Sequence, residues 1–385
     1  MAKRVLWVAL IFYIFFCYWG LTTALAIPSI QAKAAILMDA KTGEVLYEKN
    51  MDARNAPAST TKIMTAILSV ESERLDEPVK VSMRAASTRG SSMHLYAGQT
   101  LTLRELMTGL MLRSGNDAAV AIAEHLAGTE EAFVAQMNHK ATQLGAIHTH
   151  FCNPHGLSAP GHYSSARDLA ILARYALTLP EFAATVNTKE TQIEWQDRRG
   201  REKDVNLRNT NKLLWMLDDA DGIKTGTTSE AGPCLVSSAT RGNQRLIAVV
   251  LNDSSRWYDS MQLLTYGFDN YDLYEYANQG DTLATIPVEE GLNQEVDALV
   301  DSQASLTIKA EDYDKVTVEL DIPEKIKAPV YRDQKIGEII FFVGDKAVKT
   351  VDIVASKDVY ERTLAHTMLN HFIYMFRYFS GWGLL

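Results

Sequence analysis

The chain reads as an α+β protein. An antiparallel sheet flanked by helices, with a helical block, is followed by a small all-β domain and a C-terminal amphipathic helix. Three observations lead there. Hairpin patterns open and close the stretch 27–276, helical spacing of apolar residues fills most of Leu103 to Tyr175, and past Gly280 the texture changes to short alternating strands.

The elements follow in order. Residues 1–26, "MAKRVLWVALIFYIFFCYWGLTTALA", carry Lys3 and Arg4, an uncharged apolar run from Val5 to Leu21, and the small-x-small sequence Ala24-Leu25-Ala26. That is the layout of a secretory signal peptide, and the run is also long enough to stay in the membrane as an anchor. "AAILMDAKTGEVLYEKN" places two apolar runs around a polar turn at Gly43, a β-hairpin. "APASTTKIMTAILSVES" has Pro57 and Ser59 as start signals and Ile63, Met64, Ile67 and Leu68 at helical spacing, so a helix begins near Ser59. The helical block follows. "CLVSSATRGNQRLIAVVLN" gives two strands around Arg241-Gly242-Asn243, and "SMQLLTYGFDNYDLYEYA" reads as a helix that closes the region 27–276.

Residues 277–357 read as the small β-rich domain. In 358–385, Leu364, Met368, Phe372, Met375, Phe376 and Phe379 recur at steps of three or four, interrupted by polar residues. The pattern fits a helix lying in a membrane interface with Trp382 near its end, or one packed on the protein's own body.

Composition narrows the partners. With 38 basic against 47 acidic residues and a net charge of −9, the chain lacks the concentrated basic face that nucleic acid requires. An apolar fraction of 47% is enough for a large core. Outside the N-terminal segment, Cys152 and Cys234 remain; they could form one disulfide after export, but their spacing does not require it.

Three short motifs could carry chemistry. Ser59 and Lys62 form an S-x-x-K pair whose three-residue step puts both side chains on one helix face. There a lysine with a lowered pKa can take the serine's proton, while the ordinary alternative is an N-cap serine. Ser114-Gly115-Asn116 follows a helical run, and its hydroxyl and amide can project into one cleft; plain helix punctuation is the alternative. Lys-Thr-Gly occurs twice. Lys41-Thr42-Gly43 sits at a hairpin tip, where lysine is solvated, whereas Lys224-Thr225-Gly226 follows an Asp-Gly turn leading into a short strand. A strand edge suits carboxylate binding and close approach of a peptide, so context favours the second copy.

In this order, S-x-x-K, S-x-N and K-T-G form the signature of class A β-lactamases and penicillin-binding proteins. With the blocks "PASTTKIMTA", "LMLRSGNDAAVAIAEHLAG", "NPHGL" and "DGIKTGTTSEAGPCL", the chain resembles the low-molecular-weight penicillin-binding proteins, D-alanyl-D-alanine carboxypeptidases of serine peptidase family S11. The resemblance implies a penicillin-binding/β-lactamase-like catalytic domain in which Ser59 attacks the carbonyl between the last two D-alanines of a peptidoglycan stem peptide. Lys62 would be its general base. It further implies that Ser114 and Asn116 relay protons and hold the substrate backbone, and that Lys224, Thr225 and Gly226 bind the terminal carboxylate end. The oxyanion would lie on the backbone N–H groups of Ser59 and Thr227. β-Lactams would acylate the same serine, the terminal helix would sit on the membrane, and no metal or organic cofactor would take part.

The same residues would equally serve a D,D-endopeptidase or a β-lactamase, and a catalytically silent wall-binding protein is the rival from another class. His148, His150, Cys152 and His155 are metal-ligand types in one stretch, but their mixed spacing and an Asn-Pro turn favour a loop. Cys234, eight residues after Gly226, is either a buried strand residue or a thiol near the cleft.

Overall fold

The computed structural model describes residues 27–196, 199, 201–363, 368, 372, 373 and 375. The expected signal segment lies outside the described residues, as does most of the expected terminal helix.

The opening hairpin is β1 (Ala34–Asp39) paired antiparallel with β2 (Val45–Lys49). A 3₁₀ turn, Ala58–Thr61, then leads into helix α1 (Lys62–Glu71). Two short strands, β3 (Pro78–Lys80) and β4 (Thr100–Thr102), pair with each other and bracket the loop that later meets the site. The helical block is α2 (Leu103–Leu112), α3 (Asn116–Ala127), α4 (Glu130–Gln143), α5 (Ala166–Ala176) and α6 (Pro180–Asn187). Local chemistry starts these helices: Thr102 and Glu105 form a capping box on α2, and the hydroxyls of Thr129 and Ser165 cap α4 and α5.

Strands β5 (Glu190–Gln196) and β6 (Glu202–Arg208) form a separate hairpin. The main sheet is completed by β7 (Ala220–Thr228), β8 (Gly232–Arg241) and β9 (Gln244–Leu251), in the order β2-β1-β9-β8-β7, so β7 is an edge strand. The apolar run of β9 is continuous because both faces of the sheet are covered. Ile247, Val249 and Leu251 join the core under the helical block with Ile36, Ile63 and Met64. Leu246, Ala248 and Val250 join a second core with Leu263 and Leu264 of α7 (Arg256–Asn270).

Two expectations need correction. The closing helix ends at Asn270; Tyr271–Ala277 is strand β10. Its aromatic, alternating sequence buries Leu273 and suits a strand better than a helix. The Asp221-Gly222 pair is not a turn either. It lies inside β7 at a register shift, and the Ser238 and Thr240 hydroxyls satisfy the Asp221 carboxylate across the sheet.

The β-rich unit holds β11 (Thr282–Glu289), β12 (Glu295–Val300), β13 (Ala304–Lys309), β14 (Val316–Asp321), β15 (Ile326–Lys327), β16 (Lys335–Val343) and β17 (Lys346–Ala355). Six of them form one sheet, β14-β16-β17-β12-β11-β15, while β13 pairs with β10. Val296, Ala298, Ile339, Phe341 and Ile353 make its own core. The β1–β2 hairpin tip docks where β10 meets this unit: Lys41 pairs with Glu275 of β10, and Thr42 Oγ1 lies 2.6 Å from Thr307 Oγ1 of β13. The first Lys-Thr-Gly is therefore a joint between the two units, not a free solvated tip. Gly43, at φ +77°, makes the turn, and Arg174 of α5 donates to the Ala40 and Lys41 carbonyls at 2.8 Å each.

Candidate active site

Ser59 is carried by the 3₁₀ turn rather than standing as an N-cap, and no side chain caps α1. Lys62 opens α1 with its side chain fully buried. Its Nζ has three partners: Ser59 Oγ at 3.0 Å, Asn116 Oδ1 at 2.7 Å and the His155 carbonyl at 2.6 Å. Burial, reinforced by the charge of Lys224, holds this ammonium well below the ordinary lysine range. Asp117 opposes that shift.

Asn116 reaches the same spot from the junction of α2 and α3, with Ser114 two residues before it. Ser114 adopts φ +62°, which turns the chain between the helices. Its Oγ is buried without a hydrogen-bond partner among the described residues, an uncommon state for a buried hydroxyl. The Asn116 amide nitrogen donates to the Arg89 carbonyl at 2.7 Å, which fixes Oδ1 toward Lys62. Asp117 binds the same 89–95 loop, accepting from Ser92 Oγ at 2.6 Å and from the Met93 and Leu95 backbone N–H groups at 3.0 and 3.1 Å.

Lys224, Thr225 and Gly226 lie on the edge strand β7, beside the serine's turn. Lys224 is only 1% exposed, and burial, then the nearby Arg256, brings its pKa down to about 7. Thr225 Oγ1 is 3.0 Å from Thr210 Oγ1. A Cβ on Gly226 would stand 3.0 Å from the Pro57 carbonyl oxygen and 3.1 Å from the Ser59 nitrogen, so only glycine lets the strand and the turn lie this close. Ser59, Lys62, Asn116 and the strand of Lys224-Thr225-Gly226 thus lie together, and Lys41-Thr42-Gly43 lies apart from them.

Several participants carried no readable motif. Arg256, at the start of α7, donates to the Gly226 carbonyl at 2.8 Å, Thr227 Oγ1 at 2.9 Å and the Cys234 carbonyl at 3.2 Å. The Asn-Pro-His-Gly loop supplies a backbone carbonyl rather than an imidazole, and Asn153 Oδ1 holds it by accepting from the Gly156 N–H at 2.7 Å. His162 Nδ1 accepts from the Cys152 N–H at 2.9 Å, so Nε2–H donates to Thr61 Oγ1 at 2.9 Å. Among the described residues no group of three or more His, Cys, Asp or Glu side chains is placed to hold a metal ion. Cys152 and Cys234 are both free, and burial pushes the Cys234 thiol up, so it behaves as a core residue and not as a reactive thiol.

A serine hydroxyl on a buried amine, beside a sheet edge bearing a cation, defines an active-serine acyl-transfer enzyme on the penicillin-binding fold. The comparisons agree with that class. Residues 21–255 match the Peptidase S11 family, described as D-alanyl-D-alanine carboxypeptidase, and 271–361 match the penicillin-binding protein 5 C-terminal domain. The chain is 37% identical over 338 residues to D-alanyl-D-alanine carboxypeptidase DacF of Bacillus subtilis, covering 86% of each. It is 33% identical over 374 residues to DacA of Escherichia coli, covering 92% of this chain and 90% of the other. Penicillin-binding protein 5 from Haemophilus influenzae superposes with a TM-score of 0.75 at 30% identity, over 88% of this chain and all of that one. The chain belongs to the serine D-alanyl-D-alanine carboxypeptidase family S11.

Proposed function

We propose that Ser59 is the nucleophile and Lys62 its general base, in an enzyme that removes the terminal D-alanine from peptidoglycan stem pentapeptides. The observation that carries this is the bonding of Lys62 Nζ. The Asn116 and His155 carbonyl oxygens can only accept, so each takes an N–H from Lys62, at 2.7 and 2.6 Å. A neutral amine has two N–H bonds to give. With both engaged, its lone pair is left toward Ser59 Oγ at 3.0 Å, where it can receive the hydroxyl proton.

Lys224 and Thr225 then hold the substrate's terminal carboxylate, and Arg256 supports the strand beneath them. The Ser59 and Thr227 N–H groups stabilise the oxyanion, a contribution of about 3 kcal/mol per donor. Ser114, with its hydroxyl unpartnered, passes the proton to the departing D-alanine nitrogen. Water then attacks the acyl-enzyme by the same base. Neither the endopeptidase nor the β-lactamase alternative is favoured, since the matched relatives are named as carboxypeptidases. A silent scaffold would have no use for the buried lysine.

The family is consistent with an exported protein that meets stem peptides and β-lactams. We infer further that the catalytic unit spans 27–276, the β-rich unit 277–357, and that the terminal segment rests on the outer face of the cytoplasmic membrane. Met368, Phe372 and Met375, spaced four and three apart, are helical and exposed, which supports an interfacial anchor. Among the described residues no single helix is long and apolar enough to cross a membrane.

The test is incubation with a stem pentapeptide and with a fluorescent penicillin, wild type beside Ser59→Ala. Release of D-alanine and a Ser59-dependent label are expected. Absence of both overturns the reading, and rapid penicillin turnover would mark a β-lactamase instead. Deleting residues from 358 onward should move the protein to the soluble fraction; retention on the membrane would reassign the anchor to the N-terminal segment.

A further inference from the structure

Strand β7 does not stop at the reactive serine. At its far end Ser158 Oγ donates to Thr228 Oγ1 at 3.4 Å, and beside that contact lies a cleft of about 450 Å³. Arg54, Asn55, Ser158, Tyr163 and Glu230 line it, and none of them has a part in the chemistry above. The cleft nevertheless adjoins the reactive turn. Asn55 leads through Ala56 and Pro57 into the turn of Ser59, and His162, another of its walls, is bonded to Thr61 of that turn.

A peptide added antiparallel to the free edge of β7 keeps its carboxyl end at Lys224 and Thr225, and its earlier residues run out past Thr227. At about 3.3 Å per residue, the residue just before the acyl D-alanine comes to Thr228, and a long side chain from it reaches into the cleft. In a pentapeptide that is the third residue.

The cleft presents both signs of charge. The Arg54 guanidinium lies 4.5 Å above the Tyr163 ring, which leaves its edge N–H groups available. Glu230 is exposed in the segment after β7. Among the described residues neither forms an ion pair with the other or with a third side chain. A site with one unpaired cation and one unpaired anion is complementary to a group that carries both.

Resting on the carboxypeptidase reading, we propose that this cleft is the subsite for the third stem residue and that it selects a diamino diacid. The ligand's side-chain carboxylate lies on Arg54 and its ammonium on Glu230.

Four pentapeptides ending in D-Ala-D-Ala and differing only at the third residue test this: the diamino diacid, its side-chain amide, lysine and alanine. For wild type, kcat/KM for the diacid should exceed that for alanine by at least about tenfold, the scale of one charge-assisted contact. Arg54→Gln should erase the difference between the diacid and its amide, and Glu230→Gln the difference between lysine and alanine. A folding defect would lower all four peptides together and leave these ratios standing. Equal kcat/KM for the four peptides in wild type, or ratios unmoved in both variants, would overturn the subsite while leaving the carboxypeptidase intact. No D-alanine release from any peptide would overturn both.

Discussion

Gly226 approaches Ser59 so closely that a Cβ at 226 would lie 3.1 Å from the Ser59 nitrogen and 3.0 Å from the Pro57 carbonyl oxygen. Both obstacles are backbone atoms, which do not swing aside as a flexible side chain would. Gly226→Ala therefore pushes β7 from the serine's turn by a few tenths of an ångström and separates the two proposed oxyanion donors. Acylation by a fluorescent penicillin should slow by about tenfold or more, since small misplacements at a reacting centre are costly. The far-UV circular dichroism should stay native. Wild-type acylation rates in this variant would show that the spacing carries no catalytic weight.

The two Lys-Thr-Gly copies have different work. Lys41 contacts Glu275 of β10 and Thr42 contacts Thr307 of the β-rich unit, whereas Lys224 is buried at the serine. Lys41→Ala removes a partly exposed pair worth at most about 1 kcal/mol and should leave kcat/KM nearly unchanged. Lys224→Ala deletes the cation proposed to hold the substrate carboxylate and should lower kcat/KM by about a hundredfold. Steady-state D-alanine release from both variants decides the assignment, and equal losses would reverse it.

The order of the three motifs and the helical step from Ser59 to Lys62 made the reactive pair legible in the sequence, because both are local or depend only on chain order. What escaped is non-local or lacks a side-chain signature. Arg256 bonds Gly226 only because α7 starts beside the end of β7 once the sheet has formed. The third partner of Lys62 is a main-chain oxygen, that of His155, which no residue pattern announces. Asp221-Gly222 looked like a turn by its residue types, yet cross-strand hydroxyls satisfy the aspartate and keep it in the strand. Tyr271–Ala277 follows helical spacing without a break in the sequence, and only its pairing with β13, distant along the chain, makes it a strand.

The pH profile should report both buried lysines. Substrate carboxylate binding needs Lys224 charged, and its pKa in the free enzyme is about 7. Hence kcat/KM for peptides with a free terminal carboxylate should fall as pH rises through about 7, while a C-terminal amide should not share that alkaline limb. The acid limb belongs to Lys62, which must be neutral to act as base, and burial places it well below the ordinary lysine range. Lys224→Arg keeps a cation at every pH and should abolish the alkaline limb. An unchanged limb in that variant would assign it to another group.

Acid stability should track His162. Its ring is a fixed neutral tautomer, accepting at Nδ1 from the Cys152 N–H and donating from Nε2 to Thr61, so a second ring proton would face an N–H donor. Burial first, then the charges of His150 and Lys62, lowers its pKa from 6.5 to about 4. The unfolded chain therefore takes up the proton first as pH falls, and the folded state loses stability across pH 6.5 to 4, with no further loss from this group below that window. The slope contributed is about 1.4 kcal/mol per pH unit. His155, lowered to about 3 mainly by burial, acts in the same direction. Denaturant midpoints at pH 7 and pH 5 should differ less for His162→Gln than for wild type, even though the variant is less stable at pH 7 for want of the two bonds. An equal shift of the two midpoints would assign the acid sensitivity elsewhere in the fold.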